Sequence, residues 1–350
     1  MLGILSSVTW EVDPVAFSIL GREVRWYGLL WAFGVLCTSY VVQRMYKHDK
    51  LSDKSFDSLF LYVIVGLIVG ARLGHCLFYS PIEYLSNPIK LLAIWEGGLA
   101  SHGGAIGMVI AVCLYSLKMT KTKINWKNLG LWSGIGFAAG LIYYFASDVF
   151  FPSGGPQGKA DVAVSGIIMG LSIGICISLV YTTRIMTIKT LDMLVVGVAI
   201  GATFIRLGNL MNHEIYGGET PYPWGFRFIT NMGEWLKHGA QPTFTQPSHP
   251  TQIYEALIYF VIFLAGLYLF YKTSAKNKPG LILGVSLVGI FLSRFLIEFI
   301  KNVQEPFEVQ LRAAIGMDMG QLLSLPFIIW GIWLVWNAIK KGENLTTNTK

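Results

Sequence analysis

Residues 97–117 read GGLASHGGAIGMVIAVCLYSL, a run without any Asp, Glu, Lys or Arg. About 20 apolar residues are enough for a transmembrane α-helix, so this stretch predicts a span. Ionisable groups at membrane depth are costly and usually face a protein interior or a water-filled cavity. The glycine-rich segment 95–110 therefore has two interpretations: a tight crossing of helices with an incidental His102, or a site that uses this imidazole.

The composition of the whole chain indicates that its solvent is lipid. Of the 350 residues, 53% are hydrophobic and 13% are charged, against roughly 25% charged residues in soluble domains. The net charge of +7 needs no nucleic acid to explain it, and we expect no such partner. No short leader with a cleavage site precedes the first span, so we expect the N-terminus to be retained. The four cysteines lie in apolar runs without CxxC spacing, which predicts neither disulfides nor a zinc site.

Apolar segments of spanning length recur along the chain and predict an all-α, polytopic membrane helix bundle of about nine transmembrane helices. We expect one transmembrane domain over residues 1–350, with residues 1–24 as an interfacial lead-in. The predicted spans are 26–46, 57–79, 97–117, 128–151, 163–181, 190–211, 252–271, 279–300 and 319–339.

Basic residues in the connections predict the orientation. Lys and Arg cluster after the first, third, fifth and seventh spans and at the C-terminus, whereas the alternate connections hold few. Such an excess lies on the cytoplasmic side, so we expect a periplasmic N-terminus and a cytoplasmic C-terminus. The outer connection 212–251 is rich in Pro, Gly and aromatic residues and too polar to span. It predicts a small ordered periplasmic head, because long loops of this kind are often functional.

Three arginines lie inside predicted spans: Arg72, Arg206 and Arg294. Glu298 follows Arg294 by one helical turn, so the two share a face and could pair. Each arginine alone could extend to a lipid headgroup. Together they predict an anion site near the outer leaflet, and phosphate is the anion that lipids supply. An imidazole such as that of His102 near this site would serve proton transfer.

Seven short motifs then stand in an order that resembles the prolipoprotein diacylglyceryl transferase family of bacterial membrane enzymes. They extend over most of the chain, and a chance match in this order is very improbable. The motifs are RWYG at 25–28, GARLGH at 70–75, GGLASHGGAIG at 97–107, RLGNLMNHEIYG at 206–217, HPTQIYE at 249–255, RFLIEF at 294–299 and GQLLSLP at 320–326.

The resemblance implies an activity in the bacterial inner membrane. The family transfers the diacylglyceryl group of phosphatidylglycerol to the thiol of a lipobox cysteine in a prolipoprotein and releases glycerol phosphate. The implied partners are phosphatidylglycerol, the prolipoprotein and the bilayer itself. A thiolate that displaces a phosphate ester at carbon requires no metal or redox cofactor, so we expect none.

The resemblance also implies which residues act. The matching positions are Tyr27, His102, Arg206, Asn209, Glu214, Gly217, Arg294 and Glu298. Arg206 and Arg294 can hold the lipid phosphate and stabilise its charge as it leaves, and His102 can take the thiol proton. Asn209 and Tyr27 can donate hydrogen bonds to headgroup oxygens.

Three positions need separate comment. Gly217 is expected to serve a backbone turn at the mouth of the head. Ile290 stands where the family often carries a tyrosine, one turn before the late arginine, which puts any role of that hydroxyl in doubt. Residues 120–185 form a two-helix insert where family members usually have a short loop. Seven family spans and two inserted ones give nine, and an even insertion preserves the downstream topology.

Two other classes of function remain open at this point. A membrane transporter of an anionic lipid or phosphate-bearing solute could use the same arginines, although the chain shows no corresponding halves of the kind that carriers often have. A membrane scaffold for lipoprotein processing, without turnover, is the second alternative.

Overall fold

The computed structural model describes residues 7–93, 97–150, 159–302, 309, 312–313 and 315–347. Trp95 of the glycine-rich segment and Phe151 at the end of the fourth predicted span lie outside the described residues. The chain divides into two compact units. Unit 1 comprises residues 1–45 and 192–350, and unit 2 comprises residues 46–191.

Most of the described residues are helical. The helices are α1 (Trp26–His48), α2 (Asp53–Tyr79), α3 (Pro81–Ser86), α4 (Ser101–Thr120), α5 (Trp126–Phe150), α6 (Lys159–Met211), α7 (Met232–His238), α8 (Thr251–Lys272), α9 (Leu281–Glu298) and α10 (Met319–Thr347). By length and composition, six of the described helices could cross a membrane: α2, α4, α6, α8, α9 and α10. With 23 and 25 residues, α1 and α5 also have the length of a span. The predicted all-α membrane bundle is confirmed.

The predicted fifth and sixth spans are two helical segments that join without a loop. Residues 182–189 are helical, and α6 runs through them with one break at Arg184, where φ is 26° and ψ is −90°. This segment contains neither Gly nor Pro, so nothing in it ends a helix. The hydroxyls of Thr182 and Thr183 donate to the carbonyls of Ser178 and Leu179 one turn earlier, at 2.8 and 2.7 Å. Two helical segments therefore meet at a kink instead of a loop.

Short strands join the N-terminal segment to the head. β1 (Val8–Thr9) pairs in parallel with β4 (Phe226–Arg227). β2 (Val15–Ile19) and β3 (Arg22–Arg25) form a hairpin whose two turn residues, Leu20 and Gly21, both have positive φ. Such a turn matches the twist of the flanking strands. Residues 8–25 are thus β-structure that includes a strand of the head, and not only a lead-in to the first span.

Small residues and one aspartate hold the helices of unit 1 together. The backbone of Gly34 in α1 approaches Gly201 in α6 so closely that a Cβ on Gly34 would lie 3.1 Å from the Gly201 carbonyl oxygen. The hydroxyl of Thr38 donates to the Gly197 carbonyl at 2.7 Å. The buried carboxylate of Asp192 accepts hydrogen bonds from the amides of Gly280 and Leu283, at 2.8 and 2.7 Å. It therefore satisfies amides at the start of α9 that have no partner within the helix.

Unit 2 is built on glycine crossings. Gly66, Gly70 and Gly74 of α2 face the backbone of Gly103 and Gly107 in α4, with no room for a Cβ on either side. Helices α5 and α6 cross in the same way. Gly136 and Gly140 of α5 meet Gly170 and Gly166 of α6. Close backbone approach at small residues is typical of helices packed in a membrane, so these glycines serve a tight helix crossing whatever the role of His102.

Candidate functional site

A buried ionic cluster lies in unit 1. The Nε of Arg206 is 2.8 Å from Oε2 of Glu255, and the Nζ of Lys301 is 3.0 Å from Oε1 of the same carboxylate. Lys301 also lies 3.5 Å from Oε2 of Glu298. The side chains of Glu255 and Lys301 are 0% and 3% exposed. Buried charges are tolerated when they are paired, and here two acidic groups face two basic ones.

Chain topology explains why these groups meet. Arg206 lies near the C-terminal end of α6, and the head (residues 212–250) connects this end to the start of α8, where Glu255 lies. Glu298 is the last residue of α9, and Lys301 follows it. All four charges therefore lie at the ends of helices on the head side of unit 1.

A chain of hydrogen bonds extends from the cluster into the head. Nη1 of Arg206 donates to Oδ1 of Asn209 at 3.1 Å, and Nδ2 of Asn209 donates to Oε1 of Glu214 at 2.8 Å. The amide of Asn212 also donates to this oxygen, at 3.2 Å. Nε2 of Gln252 donates to the main-chain carbonyl of Glu214 at 2.7 Å. The Glu214 carboxylate is thus fixed next to the arginine by two amide side chains.

The backbone that presents Glu214 is strained. His213 and Ile215, its neighbours on both sides, have φ of 56° and 61°. Non-glycine residues avoid this region, and a β-branched residue there is an outlier. Such strain is found at functional sites, where the surrounding structure over-determines it.

His213 has a structural role. Its Nδ1 accepts a hydrogen bond from the Ile229 amide at 3.2 Å, so Nε2 carries the proton that is donated to the Val12 carbonyl at 2.9 Å. The side chain is buried, and burial lowers the pKa of His213 below its ordinary value. A neutral His213 therefore joins the N-terminal segment to the head.

Two glycines of the motifs serve close packing. A Cβ on Gly217 would lie 2.5 Å from the Ile300 carbonyl oxygen, and φ of Gly217 is not positive. Gly217 is therefore required because the Ile300 backbone passes close to it, and not because of the turn conformation that we expected. A Cβ on Gly208 would lie 2.8 Å from the Tyr27 ring. This contact keeps the Tyr27 hydroxyl within electrostatic range of Glu214 and Arg206.

Arg294 differs from the other cations of the site. It makes no hydrogen bond or ion pair with any residue that the structure describes. The expected Arg294–Glu298 pair is not formed, because the Glu298 carboxylate faces Lys301. Arg294 still lies within electrostatic range of Glu298 and of the Tyr259 hydroxyl. A half-buried guanidinium with unused donors is suited to an anionic ligand.

His102 belongs to unit 2, in the first turn of α4. Its imidazole stacks on the Phe78 ring, with centroids 5.5 Å apart and an interplanar angle of 18°, and contacts Tyr79. Neither ring nitrogen hydrogen-bonds to a residue within the described ranges. The imidazole is thus oriented by aromatic contacts and keeps both nitrogens available for a proton.

Arg72 does not take part in an anion site. Its side chain is buried, and its guanidinium donates to the main-chain carbonyls of Lys90, Leu91 and Gly97, at 2.7, 3.1 and 2.6 Å. The donors that a phosphate would need are already used within the protein. The expectation that all three intramembrane arginines converge on an anion is therefore wrong for Arg72.

Three residues of the site were not singled out from the sequence: Glu255, Tyr259 and Lys301. Glu255 ends the HPTQIYE motif, and Tyr259 follows it by one helical turn on the same face. That spacing was a usable signal. Lys301 lies beyond the end of α9, where a lysine is usually solvated, so its burial had no sequence signal.

Comparison with known proteins adds independent findings. The sequence model of the family described as prolipoprotein diacylglyceryl transferase matches residues 14–139 and 117–337. The phosphatidylglycerol–prolipoprotein diacylglyceryl transferase of Porphyromonas gingivalis is 42% identical, over 95% of both chains. The proteins of the same name from Bacteroides fragilis and Chloroherpeton thalassium are 33% and 30% identical, over 97% of this chain and 99% and 97% of their own lengths.

Proposed function

The chain belongs to the prolipoprotein diacylglyceryl transferase family, and we propose that its acceptor is the thiol of a lipobox cysteine. It is a multi-pass protein of the bacterial inner membrane that transfers the diacylglyceryl group of phosphatidylglycerol to prolipoproteins. This reaction begins lipoprotein maturation.

In the proposed reaction the thiolate sulfur attacks the glyceryl carbon that bears the phosphate ester. The S–C bond forms as the C–O bond breaks, and glycerol phosphate leaves with the electron pair of that bond. His102 accepts the thiol proton, because a neutral imidazole with free ring nitrogens is a suitable base near neutral pH. The aromatic contacts of its ring with Phe78 and Tyr79 support this role, since they leave both nitrogens unoccupied.

The arginines divide the binding of the phosphate. Arg294 is proposed to contact the phosphate directly. The observation that carries the proposal is that its guanidinium has no ion-pair or hydrogen-bond partner among the residues the structure describes. Arg206 already faces Glu255, so its remaining N–H groups are proposed to add hydrogen bonds while the carboxylate fixes its orientation. Charge stabilisation by groups that are placed before the reaction is usually a large term in catalysis.

The polar residues around Arg206 are proposed to bind the headgroup. Asn209 and Glu214 form one hydrogen-bonded chain with Arg206, and Tyr27 lies within electrostatic range of its two charged members. Glu298 holds Lys301, and Gly217 admits the Ile300 backbone. No residue with these contacts needs a metal or a redox cofactor for its role.

The orientation is proposed from the basic connections. With the N-terminus outside and the C-terminus in the cytoplasm, the head and the cluster of Arg206 lie at the outer leaflet. The thiol of an exported precursor would then reach the site from the periplasmic side. The same orientation places residues 121–125 and 273–280 in the cytoplasm.

An assay with purified protein tests the proposal. Micelles of phosphatidylglycerol and a lipobox peptide should yield a peptide with one added diacylglyceryl group and one equivalent of glycerol phosphate. A peptide with Ser in place of the lipobox Cys should yield neither. Binding of phosphatidylglycerol without product would favour the transporter or scaffold alternatives.

A further inference from the structure

The Arg72 guanidinium forms several hydrogen bonds with the chain that precedes α4. Besides the bonds to Lys90, Leu91 and Gly97, Nη1 reaches the Gly98 carbonyl at 3.4 Å. The guanidinium also lies 5.5 Å from the centroid of the Tyr84 ring. The side chain leaves α2 in the direction of this segment and makes contacts on both sides of it.

The same segment leads directly into the helix that bears His102. Gly97 and Gly98 have φ of 86° and 74°, a region that glycine enters without a steric penalty. The His75 ring occupies the space where a Cβ on Gly98 would lie. The Ala100 amide then donates to the Ala71 carbonyl at 2.9 Å.

The chain before His102 and the ring that stacks on its imidazole are therefore both held by one stretch of α2. Arg72 fixes the chain before α4 from one side, and Phe78, two turns further along α2, stacks on the imidazole. Because Arg72 binds main-chain carbonyls, its bonds fix the path of the backbone whichever side chains these residues carry. The position of the imidazole relative to α2 thus follows from the Arg72 bonds.

We propose that Arg72 is a positioning residue that acts on turnover through His102. The proposal rests on the role given to His102 above. Arg72 does not touch the substrate; it holds the glycine turn that places the imidazole. Without the guanidinium the carbonyls of residues 91 and 97 lose this donor. The turn at 97–98 then has no other hydrogen bond among the described residues that fixes it to α2 before Ala100.

A double-mutant cycle separates positioning from general stabilisation. Arg72→Met is introduced into the wild type and into His102→Gln, and kcat and KM for phosphatidylglycerol are measured on purified protein. In the wild type, Arg72→Met should lower kcat by on the order of 10²-fold, the cost of a displacement of about 1 Å. In His102→Gln, the same change should cost less than about threefold, since two residues of one mechanism are not additive. KM should change less than kcat.

Two further variants keep the test decisive. Gly98→Ala displaces the turn without removing Arg72, because its Cβ would meet the His75 ring, and it should reproduce the pattern even if Arg72→Met does not fold. Gly130→Ala, which has nothing within 4 Å, and Arg44→Met, at the exposed end of α1, are the matched controls and should retain wild-type kcat.

The outcomes are distinct. An equal loss of kcat in both backgrounds would overturn the inference and leave Arg72 as a stabilising residue only. Wild-type turnover in His102→Gln alone would instead overturn the role given to His102, and the positioning role with it.

Discussion

The Nε of Arg206 lies 2.8 Å from Oε2 of Glu255, whose side chain has no exposed surface. Lys301 faces the other oxygen of the same carboxylate. The single negative charge of Glu255 therefore faces two positive charges, and Glu298 contributes a second negative charge next to Lys301. Arg294 is left as the cation without a partner among the described residues. This charge balance is why Arg294 is the residue that we propose for binding the phosphate.

Glu255→Gln should destabilise the protein strongly. It removes the carboxylate that Arg206 and Lys301 share, and an uncompensated buried charge costs about 3–5 kcal/mol. We expect a large fall in the melting temperature in detergent and loss of turnover. Glu219→Gln, an exposed change in the head, is the control and should melt like the wild type. A Glu255→Gln protein of normal stability would show that the ion pairs of Glu255 with Arg206 and Lys301 contribute little to the stability of the fold.

The sequence predicted the helices well because apolar runs in lipid have few alternatives. An unpaired backbone cannot be exposed to the hydrocarbon core, so each long apolar run forms a helix, as α1, α2 and α4 show. The resemblance named seven site residues that unit 1 brings together, among them Arg206, Glu214 and Arg294. The break in α6 could not be placed, because Arg184 follows no Gly or Pro.

Other features depend on contacts that leave no local pattern. Val8 pairs with Phe226 across more than 200 residues, so the strand of the N-terminal segment could not be predicted from periodicity. Arg72 and Arg294 look alike as intramembrane arginines, yet Arg72 donates to main-chain carbonyls, whereas Arg294 has no hydrogen-bond partner in the described part of the chain. Every residue has a main-chain carbonyl, so the sequence does not show which ones an arginine will bind. Only the fold distinguishes the structural arginine from the one available to a ligand.

The head should lose stability in mild acid because of His213. Its pKa is lowered by burial, so the folded state binds fewer protons than the unfolded chain at a pH just below the ordinary value of about 6.5. Stability conferred by the neutral ring is complete above that value and declines as the pH falls toward the lowered pKa. Protonation also removes the acceptor for the Ile229 amide.

The measurement is the melting temperature of wild type and His213→Asn between about pH 7.5 and pH 5. Asn tolerates the positive φ of residue 213 and does not titrate. The wild type should lose more stability than the variant over this range. Parallel curves for the two proteins would show that His213 is not the cause of the loss of stability in acid.

Labelling of single cysteines should report the orientation. A cysteine at Ser52 or Thr122 should be shielded from a membrane-impermeant thiol reagent in intact cells, because both positions lie in the basic connections that we propose to be cytoplasmic. A cysteine at Lys237, exposed on α7 of the head, should react. The parent protein without an added cysteine is the control. Reaction at Ser52 in sealed cells would reverse the proposed topology.

Arg294→Lys should weaken the binding of the departing phosphate. One ammonium cannot reproduce the paired, planar donors of a guanidinium, so we expect kcat to fall by about tenfold or more, equivalent to about 1.4 kcal/mol of barrier. The fall should be present at every pH tested, because the lost donor geometry does not depend on the protonation of the substrate thiol. Arg22→Lys, on the exposed hairpin, should behave as the wild type. Full activity of Arg294→Lys would assign the phosphate to another cation.

The pH–rate profile of His102→Gln tests the central claim most directly. On purified protein in phosphatidylglycerol micelles with a lipobox peptide, the change should lower turnover at pH 7 by about 10²–10⁴-fold, the usual contribution of a general base. Lipid binding should persist, since the phosphate and headgroup residues are elsewhere in the chain. Part of the loss should be recovered as the pH approaches about 9, where the substrate thiol ionises unaided. A profile that stays flat and low up to that pH would show that His102 positions a substrate and does not remove the proton.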